Sequence, residues 1–295
     1  MNQEFRGCLE VFLGAAVWGT IGVFVMELNK AGATPVMTAF LRMLFAAGIM
    51  GILSMLHGGI ASFRIARKAL WDCVLLGFLS QGLYNICYNL AIVQAGVSVS
   101  AVLLNTAPLF TAFVSKILLK ETFSHKKIAA LVLNMAGCML AVTGGRLSVV
   151  RIAAGGIIFG VLAGFLYALT PILGRAAGEG CDVFVMSTYS YLFAALSLGL
   201  WYGPAAVAAG LDGHILFLSF LFALLPTALA YLIYFLGVQK IKETSKVPVI
   251  ASVETLVAIL LGMVLYGENV QAGQWLGIVI IFVSIALMNK KEVRR

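Results

Sequence analysis

From Cys73 to Ser115 the chain carries no Asp, Glu, Lys or Arg. About 20 apolar residues in a helix cross a hydrocarbon core of about 30 Å, so this one stretch has room for two crossings and a tight turn. Comparable uncharged runs are Met43–Phe63, Ile128–Gly145, Ile152–Gly174, Val183–Leu211, Gly213–Gln239 and Val270–Asn289. With the segments Val11–Met26 and Val247–Tyr266, the pattern predicts an all-α integral membrane fold of ten transmembrane helices. They fall near 9–28, 35–56, 70–93, 97–119, 127–144, 153–174, 183–203, 214–237, 247–266 and 271–289. A β-barrel, the other way to satisfy a backbone in lipid, would alternate apolar and polar residues in shorter segments.

Composition agrees. Apolar residues make up 62% of the 295 and charged residues 11%, where a soluble domain carries about 25%. That much apolar side chain cannot be hidden behind a polar surface, which excludes a soluble enzyme, a nucleic-acid-binding module and a disordered chain. The first segment resembles a signal peptide, with Arg6 ahead of it and Ala31-Gly32-Ala33 behind, but its run is long for one and reads as a retained helix. The five cysteines, Cys8, Cys73, Cys87, Cys138 and Cys181, form no C-x-x-C pair and read as small apolar fillers.

Lys30, Arg146 and Arg151 fall in loops on one side of the ten-helix arrangement, and Arg42 falls within a span. The other sixteen of the twenty Lys and Arg fall in loops or tails on the opposite side. The positive-inside rule then predicts both termini in the cytoplasm (N-in/C-in), in a multi-pass protein of the cytoplasmic (inner) membrane. The net charge of +8 is thereby explained by contact with anionic membrane lipid, without nucleic acid.

The two halves echo each other. Leu44-Phe45-Ala46-Ala47 recurs as Leu192-Phe193-Ala194-Ala195, and Tyr88, Leu90 and Gln94 match Tyr234, Leu236 and Lys240 at a spacing of 146. At that spacing Pro108 corresponds to Glu254, and near the ends of those helices, at a spacing of 147, Lys120-Glu121-Thr122 corresponds to Gly267-Glu268-Asn269. Five helices per half means the second half enters from the opposite side, a 5+5 inverted repeat with units 1–146 and 147–295. Many secondary carriers build a midplane site in this way.

The stretch Trp18-Gly19-Thr20-Ile21-Gly22, then Arg42, Pro108, Leu118-Leu119-Lys120-Glu121 and Gly137, resembles the drug/metabolite transporter superfamily, in its EamA-like ten-helix branch. Glu254, Leu265-Tyr266-Gly267-Glu268 and Gln274-Trp275-Leu276-Gly277 carry the same pattern in the second half. In the sixth helix, Gly164-Phe165-Leu166-Tyr167 stands where the family pattern has a tryptophan-containing stretch. The resemblance implies a membrane carrier of small metabolites, often amino acids and commonly moving outward.

Arg42 and Glu254 are the charges deepest within predicted spans, where a charge costs at least about 2.5–3.5 kcal/mol and normally faces a bundle interior or a wet cavity. Each reads either as a buried packing anchor or as a substrate contact. In the latter case Arg42 attracts a carboxylate, and Glu254 attracts an ammonium or carries a coupling proton. Gln81, Asn85 and Tyr88 share one face at i, i+4, i+7, with Tyr84 nearby, and Thr227, Tyr231 and Tyr234 repeat the spacing. Such a stripe either lines a cavity or glues helices together. Trp18, Asn105 and Tyr167 are further binding candidates, and Pro108 and Pro226, near mid-span, are candidate hinges. Gly156, Gly160 and Gly164, like Gly273 and Gly277, recur every four residues and predict close helix packing.

No H-E-x-x-H, P-loop or dinucleotide fingerprint occurs, and His57, His125 and His214 fall at span ends or in loops. No catalytic residue, metal, cofactor or ATP-binding domain is therefore expected. The expectation is a secondary transporter moving a small polar metabolite, an amino acid or related zwitterion, by alternating access. A membrane channel or an intramembrane lipid-modifying enzyme are the rivals. A channel needs a continuous polar path, and such an enzyme needs clustered Asp, His or metal ligands at a membrane face.

Overall fold

A computed structural model describes residues 3–95, 97–121, 124–145, 154–203, 211–267 and 269–289. Glu268, Arg146, Arg151 and the terminal Lys290, Lys291, Arg294 and Arg295 lie outside the described residues. The described secondary structure is entirely helical. Among the described residues, eight segments are long and apolar enough to cross a membrane: Gln3–Lys30, Pro35–Gly58, Val99–Leu118, His125–Thr143, Ala154–Gly180, Val183–Tyr202, Gly213–Val238 and Thr244–Tyr266. Ala272–Met288 is a shorter apolar helix, and 67–95 is helical from end to end but more polar. Large apolar side chains such as Leu56, Val93, Phe113 and Leu200 project outward, where hydrocarbon rather than water suits them.

Helix ends fall where local chemistry sets them. α3 (Pro35–Gly58) begins with Pro35 in its first turn, and the Thr34 hydroxyl accepts from Met37 N at 3.2 Å. Asp182 and Asp212 cap α10 (Val183–Tyr202) and α11 (Gly213–Ala223) in the same manner. α8 (His125–Thr143) and α14 (Val253–Tyr266) end on Gly144 and Gly267, with φ of 62° and 66°, a conformation glycine adopts without penalty.

The long helices are interrupted in a regular way. α1 (Gln3–Trp18) and α2 (Ile21–Lys30) part at Gly19-Thr20, α6 (Val97–Leu104) and α7 (Ala107–Leu118) at Asn105-Thr106, and α13 (Val247–Ala251) and α14 at Ser252. At each interruption a hydroxyl donates to a carbonyl three residues back: Thr20 to Val17 at 2.7 Å, Thr106 to Leu103 at 2.6 Å and Ser252 to Val249 at 2.6 Å. These bonds satisfy backbone acceptors that the break would leave bare.

Two further helices are widened by a π-turn. Phe78–Leu83 joins α4 (Arg67–Gly77) to α5 (Tyr84–Ala95), and Leu224–Leu229 joins α11 to α12 (Ala230–Val238). The second contains Pro226, which has no N–H for the Phe222 carbonyl; Thr227 Oγ1 supplies the bond at 3.0 Å. The two π-turns, like the interruptions at 105–106 and 252, lie 146 residues apart within a residue.

The bundle packs α1 on α12, α5 on α9 (Ala154–Gly180), α3 on α10, and α8 on α15 (Ala272–Asn289). Glycines permit the closest approaches. A Cβ on Gly277 would lie 2.3 Å from Ala141 N, and one on Gly160 would lie 2.5 Å from Leu103 Cδ1. The four-residue glycine stripes of α9 and α15 are therefore packing seams.

Gly77 and Gly82 seat the first π-turn against α10, five residues apart on one face because π-turn bonding runs i to i+5. A Cβ on Gly77 would fall 2.1 Å from the Ser190 carbonyl oxygen, which is backbone and cannot yield cheaply. Gly77→Ala is expected to lower the thermal midpoint in detergent, at a cost of about 1–3 kcal/mol. Gly48→Ala, at a helical site with nothing within 4 Å, is expected to leave the midpoint unchanged or raise it. Equal midpoints for the two variants would refute the packing.

Candidate functional site

A cavity of about 450 Å³ occupies the middle of the bundle where the interruptions meet. Its wall includes Gly19 from the first interruption, Asn105, Ala107 and Pro108 from the second, and Ser252 and Glu254 from the third. Broken helices thus supply polar groups at mid-depth, where an unbroken apolar helix has none to offer.

Glu254 lies in the first turn of α14, two residues past the break, where the positive end of the helix dipole favours a carboxylate. The break is pinned from the side: Asn134 Nδ2, which also lines the cavity, donates to Ser252 Oγ at 2.8 Å and to Ser284 Oγ at 3.1 Å. From the other side Gly19 lets α1 and α2 close on α14, since a Cβ there would come 2.5 Å from Val257 Cβ and 2.9 Å from the Glu254 carbonyl oxygen. Among the described residues Glu254 has no ion-pair partner.

Arg42, on α3, is 9% exposed and lines the same cavity. Its guanidinium lies 5.1 Å over the Phe222 ring, and its Nε has no hydrogen-bond partner among the described residues. No carboxylate pairs with it among those residues either. A guanidinium and a carboxylate, neither in an ion pair among the described residues, therefore face one cavity.

Aromatic rings form much of the remaining wall. Trp18 packs on Tyr231 and Tyr234, with ring centroids 4.4 and 4.7 Å away. Tyr84 lies 5.9 Å from Tyr88 and 5.3 Å from Tyr167. All six rings line the cavity. Asn85 and Asn105 line it too, each donating its amide to the carbonyl four residues back, Gln81 and Ala101.

Gln81 is a correction. The regular i, i+4, i+7 spacing predicts it on the face of Asn85 and Tyr88, but it is 1% exposed, is not among the lining residues, and its Nε2 and Oε1 have no partner among the described residues. The π-turn at 78–83 contains Gln81 and breaks the register between it and Asn85. Thr227 leaves the predicted face of Tyr231 for the same reason, inside the second π-turn. Of the two prolines, Pro108 begins the half-helix α7 and lines the cavity, while Pro226 lies in the π-turn away from it. Phe222 and Asn134 belong to the cavity although they were not singled out in the sequence. A lone asparagine inside a predicted span was the legible signal for Asn134. Among the described residues no group of three His, Cys, Asp or Glu could hold a metal.

One end of the cavity reaches the helix ends at Pro35 and Val142. No described residue of 3–17, 112–133 or 235–247 lines it, and there the bundle is tied shut. Glu121 accepts from Thr244 N at 2.5 Å and from Ser245 N and Oγ at 3.2 and 2.6 Å. Glu243 holds Lys127 at 2.6 Å and Lys246 at 3.0 Å, and Lys246 also reaches Glu4 at 3.2 Å. Lys240 pairs with Glu10 at 2.5 Å, and Arg175 donates to the Lys242 carbonyl at 3.0 Å and to Thr244 Oγ1 at 2.8 Å.

Apolar helices of membrane length around a central cavity with a carboxylate and a guanidinium in its wall define a multi-pass membrane protein. The comparisons then give the family: the model of the EamA-like transporter family matches residues 5–143 and 154–290, and the chain belongs to that family. It is 23% identical over 300 residues to the uncharacterized inner membrane transporter YicL of Salmonella typhimurium, covering 100% of this chain and 99% of that protein. It is 24% identical over 282 residues to the uncharacterized transporter YwfM of Bacillus subtilis, covering 95% and 93%. A solved crystal structure shares the fold with a TM-score of 0.80 at 16% identity, over 96% of each chain.

Burial alone would raise the Glu243 carboxyl, but hydrogen bonds from Lys127 and Lys246 outweigh it and hold the group below the ordinary glutamate value. A carboxyl depressed in the folded protein contributes stability above its unfolded pKa, and that contribution is lost as pH falls through the depressed value. Wild type is therefore expected to melt about 2–4 °C above Glu243→Gln at pH 7 in detergent, with the gap closing as pH drops below about 4. A gap independent of pH would contradict the pairing.

Proposed function

We propose that this transporter is a secondary carrier that moves a small zwitterionic metabolite of amino-acid type by alternating access. The observation that carries this reading is that Arg42 and Glu254, opposite charges without ion-pair partners among the described residues, line one cavity at the interruptions of the helices. In the proposal the Arg42 guanidinium receives the substrate carboxylate and Glu254 receives the ammonium. Between substrates, Glu254 carries a coupling proton. Trp18, Asn85, Tyr88, Asn105, Tyr167 and Tyr231 complete the binding surface, and Pro108 and Pro226 lie at the points where the halves bend.

The architecture in this proposal is ten transmembrane helices in two units, 1–146 and 147–295, related as a 5+5 inverted repeat. The spacing of 146 between the two π-turns supports it, as does the pairing of α1 with α12 and of α5 with α9, which such a repeat makes equivalent. The tied end carries Arg6, Lys116, Lys127, Arg175, Lys240 and Lys246, which supports a cytoplasmic location for it and an N-in, C-in chain in the inner membrane. The described form then faces outward, and transport requires that the ionic ties part while the opposite end closes. Outward movement of the substrate is the direction proposed from the family.

Counterflow in proteoliposomes tests the reading. Vesicles loaded with one unlabelled compound from a panel of amino acids, nucleosides and sugars are expected to accumulate the labelled form saturably for an amino acid. Glu254→Gln is expected to reduce accumulation at least about tenfold and to flatten its pH dependence, and Arg42→Gln to raise KM for the zwitterion. Non-saturating flux would point to a channel. A pH-independent wild type matched by Glu254→Gln would remove the coupling proton.

A further inference from the structure

The wall of the cavity is unusual in what it is made of. Its charged groups are one carboxylate and one guanidinium, whereas six of its side chains are Trp or Tyr. The rings divide into two groups. Trp18, Tyr231 and Tyr234 pack on one another and are buried, with Trp18 only 4% exposed, forming a stiff wall brought by α1 and α12. Tyr84, Tyr88 and Tyr167 are half-buried, and α5 and α9 hold them against one another, Tyr84 and Tyr88 nearly parallel at 19°.

Rings serve two kinds of ligand. Their faces attract an ammonium group through the ring quadrupole, and they stack on another ring. Glu254, in the same cavity, adds the negative charge that an ammonium requires. The Trp18 indole N–H is a second sign of a ligand: it is buried and has no hydrogen-bond partner among the described residues. A cavity meant for small aliphatic metabolites gains nothing from this many rings; the amides of Asn85, Asn89, Asn105 and Asn134, which a sugar would need, already donate within the protein, and Arg42 is the single cation of the wall, where a phosphate site gathers several.

We infer that the substrate is an amino acid carrying an aromatic ring, an arylalkylamine being the smaller ligand that keeps its ammonium and ring. Its ammonium lies at Glu254 and its ring lies against Tyr84 and Tyr167, with Trp18 opposite. This rests on the reading of the cavity as the carrier's substrate site, and it adds the class of substrate. Tyr84 and Tyr167 act through their rings rather than their hydroxyls, which distinguishes binding from a structural hydrogen-bonding role.

Equilibrium binding to the purified full-length chain in nanodiscs tests the inference, with labelled phenylalanine and phenethylamine as probes. Propylamine and alanine, which lack the ring, and 3-phenylpropionate, which lacks the amine, serve as competitors. The two ring amines are expected to bind at least about tenfold more tightly than any competitor. Tyr84→Leu with Tyr167→Leu is expected to weaken them roughly tenfold, as loss of two ring contacts predicts, while Tyr84→Phe with Tyr167→Phe keeps wild-type affinity. Equal affinity for phenethylamine and propylamine, or no binding of either ring amine, overturns the inference. Equal loss in the Leu and Phe pairs also overturns it. The same compounds in counterflow separate the two readings. Ring amines that bind without accumulating would sink the carrier and leave the substrate class standing. Saturable accumulation of alanine as readily as phenylalanine would sink the substrate class alone.

Discussion

In hydrocarbon a backbone N–H or C=O has no water to turn to, and every feature of this chain is arranged around that constraint. A continuous helix satisfies it but presents only side chains, nearly all of them apolar here. A binding site at mid-depth needs polar groups, and the chain obtains them by breaking helices and mending the exposed carbonyls locally. The mend is the same each time: Thr20, Thr106 and Ser252 each return a hydroxyl bond to the carbonyl three residues back. Where proline removes a donor, Thr227 replaces it. The site is therefore built from the repaired defects of the helices, and its position follows from where they fall.

Charge is distributed with equal economy. Most of the described cations lie at one end, where Arg6, Lys127, Lys240 and Lys246 pair with Glu4, Glu10 and Glu243. The two charges at depth are treated differently. Glu254 rests on the N-terminus of a half-helix and Arg42 on the face of Phe222, so each is made tolerable by a dipole or a ring without being neutralised by an opposite charge.

Much of this was legible in the sequence. The uncharged runs locate helical segments because hydrocarbon thickness sets their length, and Arg42 and Glu254 announce themselves by the cost of their depth. The aromatic residues Trp18, Tyr88, Tyr167 and Tyr231 meet in one cavity, as a shared polar-aromatic surface requires. What a regular period cannot foresee is an irregular turn. Gln81 and Thr227 were placed by counting 3.6 residues per turn through segments where the helix widens, and both rotate out of the cavity. Phe222 was hidden for another reason: one phenylalanine among nineteen carries no mark until a guanidinium is found above it. The carboxylates of the tied end were visible as charges, but their partners lie more than a hundred residues away, beyond the reach of local spacing.

The tied end also constrains how the molecule can move. Glu243 answers both Lys127 and Lys246, and Lys246 also answers Glu4, so three separate parts of the chain share charges that are partly withdrawn from water. If a single pair parts, a charge remains buried with its compensation reduced, which is costlier than parting them together in the presence of water. Under the proposed alternating access, intermediate degrees of opening are the least stable ones. That end of the bundle would then be a switch with two positions, its passage cooperative because the same few side chains make every tie.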